Sequence, residues 1–265
     1  MKIAIAGKGG VGKTFIASTL SRLLSRDGFN VLAVDADPNI NLGYSLGVPS
    51  EINEKIIPLS DNEELVKEKT GISPTEALGA MFNMTPTVND IVDRFGVNAP
   101  DQVKLLVMGT VKGGDTGCMC GSNALLRVLV QHLLIQRKDI LIMDMVAGLE
   151  HLGRGTARRM DAMIVVLEPR MKSVDTMKRI LKMANEIEVR EILAIGNKVA
   201  SETERRFIQE KMKEQNVPVI AYIPYDTNVA EADMRGTPVL DLYEETDAIQ
   251  SLMEVKDFLV NKFNP

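Results

Sequence analysis

The chain contains 265 residues, of which 45% are hydrophobic, and its 31 basic and 36 acidic side chains leave a net charge of −5. An acidic balance without a dense basic tract argues against an electrostatic nucleic-acid surface. No segment approaches the about 20 apolar residues that span a bilayer, and the N-terminal apolar run is too short for a secretory signal. We therefore expect a soluble, cytoplasmic protein without nucleic-acid or membrane partners.

Short β-branched apolar runs alternate with helical stretches along the chain. The predicted strands lie at 2–6, 31–35, 103–108, 140–144, 162–167, 191–195 and 219–223. Near-continuous hydrophobicity is typical of strands that are buried on both faces of a parallel sheet. The pattern predicts a single doubly wound α/β domain over 1–265, with a mostly parallel sheet, helices on both faces and a closing helix over 244–263. Residues 48–100 are predicted to be an insertion with helical pieces at 62–69 and 75–82.

The first predicted strand leads into Gly7-Lys8-Gly9-Gly10-Val11-Gly12-Lys13-Thr14, which fits the phosphate-binding pattern G-x-x-x-x-G-K-[ST]. A helix predicted over 15–26 follows, as the motif requires. Backbone N–H groups of this loop would surround phosphate oxygens, Lys13 would reach the β/γ-phosphates, and the Thr14 hydroxyl can ligate Mg²⁺. The residues expected to contact nucleotide are Gly9, Gly10, Val11, Gly12, Lys13, Thr14 and Phe15. The motif predicts a nucleoside triphosphate site with Mg²⁺.

Lys8 is a second loop lysine with no obvious partner in its own chain. It is either a solvated loop residue or a contact to a neighbouring subunit's nucleotide. With Lys8, the motif resembles that of the deviant Walker A ATPases, which include nitrogenase iron protein, MinD, partition ATPases and metal-centre maturation factors. The resemblance implies binding of ATP and ADP, and a homodimer in which Lys8 reaches across to the partner's phosphates. Phe15 departs from the family pattern, in which a second hydroxyl commonly follows Thr14, and we expect altered nucleotide affinity.

Two predicted strands end in carboxylates. The second strand ends in Asp35-Ala36-Asp37-Pro38, and the family resemblance assigns Asp37 to orienting or deprotonating the attacking water. Asp35 either anchors this loop or joins the hydration shell of Mg²⁺. Asp144 ends the apolar run 140–144, the arrangement in which a carboxylate reaches Mg²⁺ through water.

Three later segments complete the expected nucleotide site. Residues 145–151 resemble a switch II in which Gly148 senses the γ-phosphate through its backbone N–H, and His151 is either structural or a relay of nucleotide state. Asn197 and Lys198 follow the sixth strand, and Pro224 follows the seventh. By resemblance these residues hold adenine, although an asparagine after a strand is also an ordinary turn residue.

Both cysteines lie in Cys118-Met119-Cys120, in a glycine-rich segment that is a poor place for buried core thiols. Two thiolates form half of a four-sulfur site for Ni²⁺ or Zn²⁺, and two chains would complete it. A strained disulfide, which cytosolic conditions disfavour, is one alternative. A site shared with His132 is another, but its spacing fits no common zinc motif.

Taken together, these motifs resemble the CooC-type nickel ATPases that mature carbon monoxide dehydrogenase. The resemblance implies a nickel metallochaperone whose dimer forms with ATP or metal and whose client is that dehydrogenase, alone or linked to acetyl-CoA synthase. Two rivals stay open: a MinD-like or partition-like regulatory switch, and an iron–sulfur scaffold of the related P-loop type.

Overall fold

An eight-stranded sheet forms the centre of the computed structural model, which describes residues 1–71, 83, 85–109, 121–136, 140–145, 159–243 and 245–265. The strands are β1 (Lys2–Gly7), β2 (Val31–Ala36), β3 (Val97–Asn98), β4 (Lys104–Val107), β5 (Ile140–Met145), β6 (Ala162–Leu167), β7 (Ile192–Val199) and β8 (Val219–Pro224). Their order is β3-β4-β2-β5-β1-β6-β7-β8. All neighbours in this sheet pair in parallel except β3 and β4, which are antiparallel.

All seven predicted strands are confirmed, and two details differ. The two-residue edge strand β3 is too short to leave a hydrophobic pattern in the sequence. Strand β7 continues to Val199, four residues beyond its predicted end, because the polar pair Asn197 and Lys198 still belongs to the strand.

Helices cover both faces of the sheet. They are α1 (Lys13–Arg26), α2 (Leu42–Leu46), α3 (Ser50–Asn53), α4 (Glu63–Thr70), α5 (Ile91–Phe95), α6 (Gly121–Gln136), α7 (Met171–Glu186), α8 (Glu202–Glu214), α9 (Thr227–Met234), α10 (Val239–Leu242) and α11 (Asp247–Phe263). A 3₁₀ turn spans Pro100–Gln102. The predicted closing helix begins at Asp247, where the Thr246 side chain accepts a hydrogen bond from the backbone N–H of Ile249. None of the described helices is long and apolar enough to cross a membrane.

Side chains along each strand point alternately to the two faces of the sheet, so the core consists of two layers. In β1, Ile3 and Ile5 pack with α1 and α11, whereas Ala4 and Ala6 face the layer that contains α6 and α7. Successive strand side chains point to opposite faces, so a run that is apolar throughout must be covered on both. This is the physical reason for the doubly wound fold.

The predicted insertion between β2 and β4 contains α4, which matches the helical piece expected over 62–69. The piece expected over 75–82 lies outside the described residues. Before α4, the backbone N–H groups of Leu59 and Ser60 donate to the carbonyls of Val107 and Met108 at 3.1 and 3.0 Å. This part of the insertion is therefore hydrogen-bonded to the segment at the end of β4.

Arg22, on α1, is a charged residue in the interior, with a side chain only 3% exposed. Its Nε donates to Asp101 at 2.6 Å, and its two terminal nitrogens donate to the Asp241 carboxylate at 2.6 and 2.9 Å. Planar two-point contacts of this kind are the strong form of an arginine–carboxylate pair. Arg22 therefore joins the helix that follows the phosphate-binding loop to the 3₁₀ turn and to α10.

We predict that Arg22→Met lowers the free energy of unfolding by about 2–4 kcal/mol, because it leaves two carboxylates without their buried partner. For a chain of this size that corresponds to a fall in Tm of about 5–10 °C. Arg26→Met is the matched control, since Arg26 is 42% exposed and its ion pair within the described part of the chain is with Asp101, so its change should stay below about 1 kcal/mol. Equal falls in Tm for the two variants in thermal unfolding would contradict the stabilising role assigned to Arg22.

Candidate nucleotide-binding site

Five parallel strands end at one edge of the sheet and bring most of the predicted site residues together. Asp35 and Asp144 are directly paired across β2 and β5. The phosphate-binding loop follows β1, Asn197 and Lys198 lie near the end of β7, and Pro224 ends β8. Ligands of open parallel sheets bind outside these carboxyl ends.

The loop after β1 ends at Gly12, the N-cap residue of α1, which has φ 96° and ψ 22° and makes no side-chain capping bond. Glycine is needed here twice over. Its backbone is left-handed, and a Cβ at this position would lie 2.2 Å from Asn197 Nδ2. Because glycine has no side chain that could accept a hydrogen bond from the first N–H groups of α1, these donors suit an anion at this helix N-terminus.

Asp35 holds the loop that follows β2. Its Oδ1 accepts the backbone N–H of Asp37 at 3.1 Å, and its Oδ2 accepts that of Leu42 at 3.0 Å. Burial raises the pKa of Asp35 to about 6, although these backbone hydrogen bonds oppose the shift. Of the two roles considered for Asp35, the hydrogen bonds describe the loop anchor.

Asp37 lies beside the loop lysine. Its Oδ2 is 3.6 Å from Lys13 Nζ, and both side chains are largely buried. Its Oδ1 accepts the backbone N–H of Asn39 at 2.9 Å. Lys13 and Asp37 therefore neutralise each other at the place where a phosphate would add negative charge.

Asp144 contacts the residue expected to ligate magnesium. Thr14 Oγ1 donates to Asp144 Oδ2 at 2.6 Å, whereas Asp144 Oδ1 is buried and has no hydrogen-bond partner among the described residues. Burial is the main cause that raises the pKa of Asp144 to about 7, and the Thr14 hydrogen bond opposes it. A buried carboxylate oxygen without a partner beside a hydroxyl fits Mg²⁺, because this hard cation prefers oxygen ligands and keeps several waters. No group of three His, Cys, Asp or Glu side chains within the described part of the chain is arranged to hold a metal ion by itself. A Mg²⁺ here would need phosphate and water ligands as well.

Asn197 and Lys198 contact the phosphate-binding loop itself. Asn197 Nδ2 donates to the carbonyl of Val11 at 2.8 Å, and Lys198 Nζ donates to that of Gly10 at 2.8 Å. One amide donor of Asn197 is therefore committed to the loop, and the residue also lines the cleft described next. Sequence reasoning did not find these two contacts, which join residues more than 180 positions apart.

A cleft of about 730 Å³ extends from the loop to the end of β8. Pro224 and Tyr225 line it on the side of β8, and Phe15 lines it on the side of α1. Phe15 also packs against a small apolar cluster centred on Ala232, Val239 and Ile249, so the residue that replaces a hydroxyl serves as packing between α1 and the cleft wall. Sequence analysis does not predict this wall, because α9 and α10 are short helices with weak hydrophobic periodicity.

Other predicted residues stand apart from these contacts. Lys8 is half-buried at the start of the loop, and no carboxylate of the described residues forms an ion pair with it. Gly148, His151, Cys118 and Cys120 lie outside the described residues. His132 lies on α6 and has an interaction of its own.

Comparison with known proteins agrees with this architecture. The CobQ/CobB/MinD/ParA nucleotide binding domain matches residues 2–239. An uncharacterised ATP-binding protein of Methanocaldococcus jannaschii is 42% identical over 240 residues, 90% of this chain and 91% of that protein. The carbon monoxide dehydrogenase accessory protein CooC of Rhodospirillum rubrum is 40% identical over 242 residues, 91% of this chain and 90% of that protein. The septum site-determining protein MinD of Pyrococcus horikoshii, solved with Mg-ADP, is 22% identical and superimposes with a TM-score of 0.67 over 97% of this chain and 95% of that one. The predicted P-loop fold class is confirmed.

The raised pKa of Asp144 predicts a pH-dependent affinity for Mg²⁺. Below about pH 7 the metal-free carboxyl holds a proton that the cation must displace, so Mg²⁺-dependent nucleotide binding should weaken by up to about tenfold per pH unit on acidification and level off above pH 7. Titrating Mg²⁺ against a fluorescent ATP analogue between about pH 5.5 and 8.5 measures this. The same titration of Asp144→Asn is the control, because it measures the part of the pH dependence that comes from protonation of the nucleotide. A wild-type profile no steeper than that of the variant would refute the prediction.

Proposed function

The chain belongs to the CobQ/CobB/MinD/ParA nucleotide-binding family, and from this premise we propose that it is a Mg²⁺-dependent ATPase that delivers nickel to a carbon monoxide dehydrogenase. The observation that carries the proposal is the 40% identity, over nine tenths of both chains, to a carbon monoxide dehydrogenase accessory protein. The Cys-x-Cys segment supports it, because that segment supplies the ligands such a cargo needs.

ATP hydrolysis follows from the charges at the sheet edge. Thr14 and Asp144 would hold Mg²⁺, which would neutralise negative charge on the phosphate oxygens. The γ-phosphate gives Lys13 a second anionic partner and weakens its pairing with Asp37, now at 3.6 Å. The Asp37 carboxylate is then available to accept a hydrogen bond from the attacking water and to orient it.

Two subunits complete the site in this proposal. Lys8 has no carboxylate partner among the described residues, and it reaches the phosphates bound by the partner subunit. Cys118 and Cys120 of both subunits together offer four thiolates to one Ni²⁺, a set that also accepts Zn²⁺. Hydrolysis reopens the dimer, so that a cargo held by four sulfurs loses half of its ligands and is released.

We predict that wild-type protein binds about one nickel per dimer and that Cys118→Ser/Cys120→Ser binds none while retaining nucleotide affinity. Anaerobic size-exclusion chromatography with elemental analysis, with and without MgATP, measures both properties. Met119→Leu is the matched control, since it alters the same segment and keeps both thiols.

Other outcomes of this experiment point to the rivals. Wild-type protein that dimerises with ATP but binds no nickel would contradict nickel delivery and favour a regulatory switch. A brown, visibly absorbing product after reconstitution with iron and sulfide, lost in the double variant, would favour an iron–sulfur scaffold.

We predict that Lys8→Ala weakens ATP-dependent dimerisation at least about tenfold, because an ammonium–phosphate contact across the interface is lost. Monomeric nucleotide affinity should change little. Analytical ultracentrifugation with a slowly hydrolysed ATP analogue tests this, with Lys172→Ala, an exposed lysine of α7, as control. An unaltered dimer in Lys8→Ala would exclude the trans role.

A further inference from the structure

The end of β7 has an irregular backbone. Lys198 has φ 58°, a left-handed conformation that non-glycine residues seldom adopt, and the pairing of β7 with β8 shifts register between Gly196 and Val199. Irregularities of this kind redirect side chains and are common beside functional sites. Here the Lys198 ammonium is directed onto the phosphate-binding loop.

The acceptor of that ammonium is a main-chain oxygen, not a carboxylate. Lys198 Nζ lies 2.8 Å from the carbonyl oxygen of Gly10, and it forms no ion pair with the described acidic residues. The contact therefore points to a role in the shape of the loop.

Lys198 and Asn197 bind the carbonyl oxygens of Gly10 and Val11. Because the C=O and N–H of a trans peptide point in opposite directions, fixing each carbonyl also fixes the direction of the N–H in the same peptide unit. The unit held by Lys198 ends in the N–H of Val11, which closes the loop's turn by donating to Lys8 O at 3.4 Å. The next unit, held by Asn197 through the carbonyl of Val11, ends in the N–H of Gly12 and turns it away from β7. The two side chains thus set the orientation of successive peptide units.

We propose that Lys198 is a positioning residue for phosphate binding: it fixes the turn at the entrance of the loop, including Lys8, before nucleotide arrives. The inference rests on the ATPase part of the proposed function and is independent of nickel. It assigns Lys198 to the polyphosphate rather than to the base, although the residue adjoins the expected adenine site.

The test compares MgATP with magnesium tripolyphosphate, which has the phosphates but no nucleoside. Lys198→Met should weaken both ligands by a similar factor of about three to ten, since a charge-assisted hydrogen bond is lost. The KM for MgATP should rise while kcat stays nearly constant, Lys198→Arg should restore affinity, and Tm should stay within about 2 °C. Isothermal titration and steady-state kinetics provide the readouts, and Lys172→Met, at an exposed position of α7, is the control.

A loss confined to MgATP would place Lys198 on the nucleoside and overturn the proposal. Unchanged binding of both ligands in Lys198→Met would overturn it as well. Wild-type protein that bound neither ligand would refute the ATPase assignment itself. If wild-type protein binds both ligands and Lys198→Met binds them with the same affinity, only the positioning role is refuted.

Discussion

The parallel register between β2 and β5 places two carboxylates, Asp35 and Asp144, side by side at the edge of a buried sheet. Each is about 1% exposed, and burial raises the pKa of both. Two carboxylates buried away from solvent need hydrogen-bond donors or a cation to compensate for their lost hydration. The fold meets this need differently at each position. Backbone N–H groups of the following loop satisfy Asp35, whereas Asp144 receives only the Thr14 hydroxyl and keeps one oxygen without a partner.

This difference gives the two carboxylates different roles at the site. An acid whose oxygens are both engaged by backbone donors fixes the course of its loop, and here that loop carries Asp37 next to Lys13. An acid with a free buried oxygen is costly until a cation arrives, so the energy of metal binding includes relief of that cost. The same local arrangement thus holds the backbone at Asp35 and offers a carboxylate oxygen to a cation at Asp144.

The sequence was sufficient for the parts that depend on local pattern. Continuous apolar runs located seven strands, and the motif at 7–14 located the phosphate loop, because both arise from spacing along the chain. Arg22 could not be predicted, since its burial depends on Asp101 and Asp241, which lie 79 and 219 positions away. The bonds from Asn197 and Lys198 to the loop depend in the same way on the order of strands in the sheet, which places β7 two strands from β1. What the sequence could not supply was tertiary pairing.

Sheet topology also joins the Asp37 loop to the chain that follows β4. The segment that contains Cys118 and Cys120 leaves the described chain after Gly109 and rejoins it at Gly121, the first residue of α6. Immediately before it, the backbone N–H of Met108 donates to the carbonyl of Asp35 at 2.9 Å. This bond continues the parallel pairing of β2 with β4, which matches Asp35 with Val107. The chain just after β4 is therefore hydrogen-bonded to the residue that holds the Asp37 loop, so a displacement of that loop would act directly on the backbone at Met108.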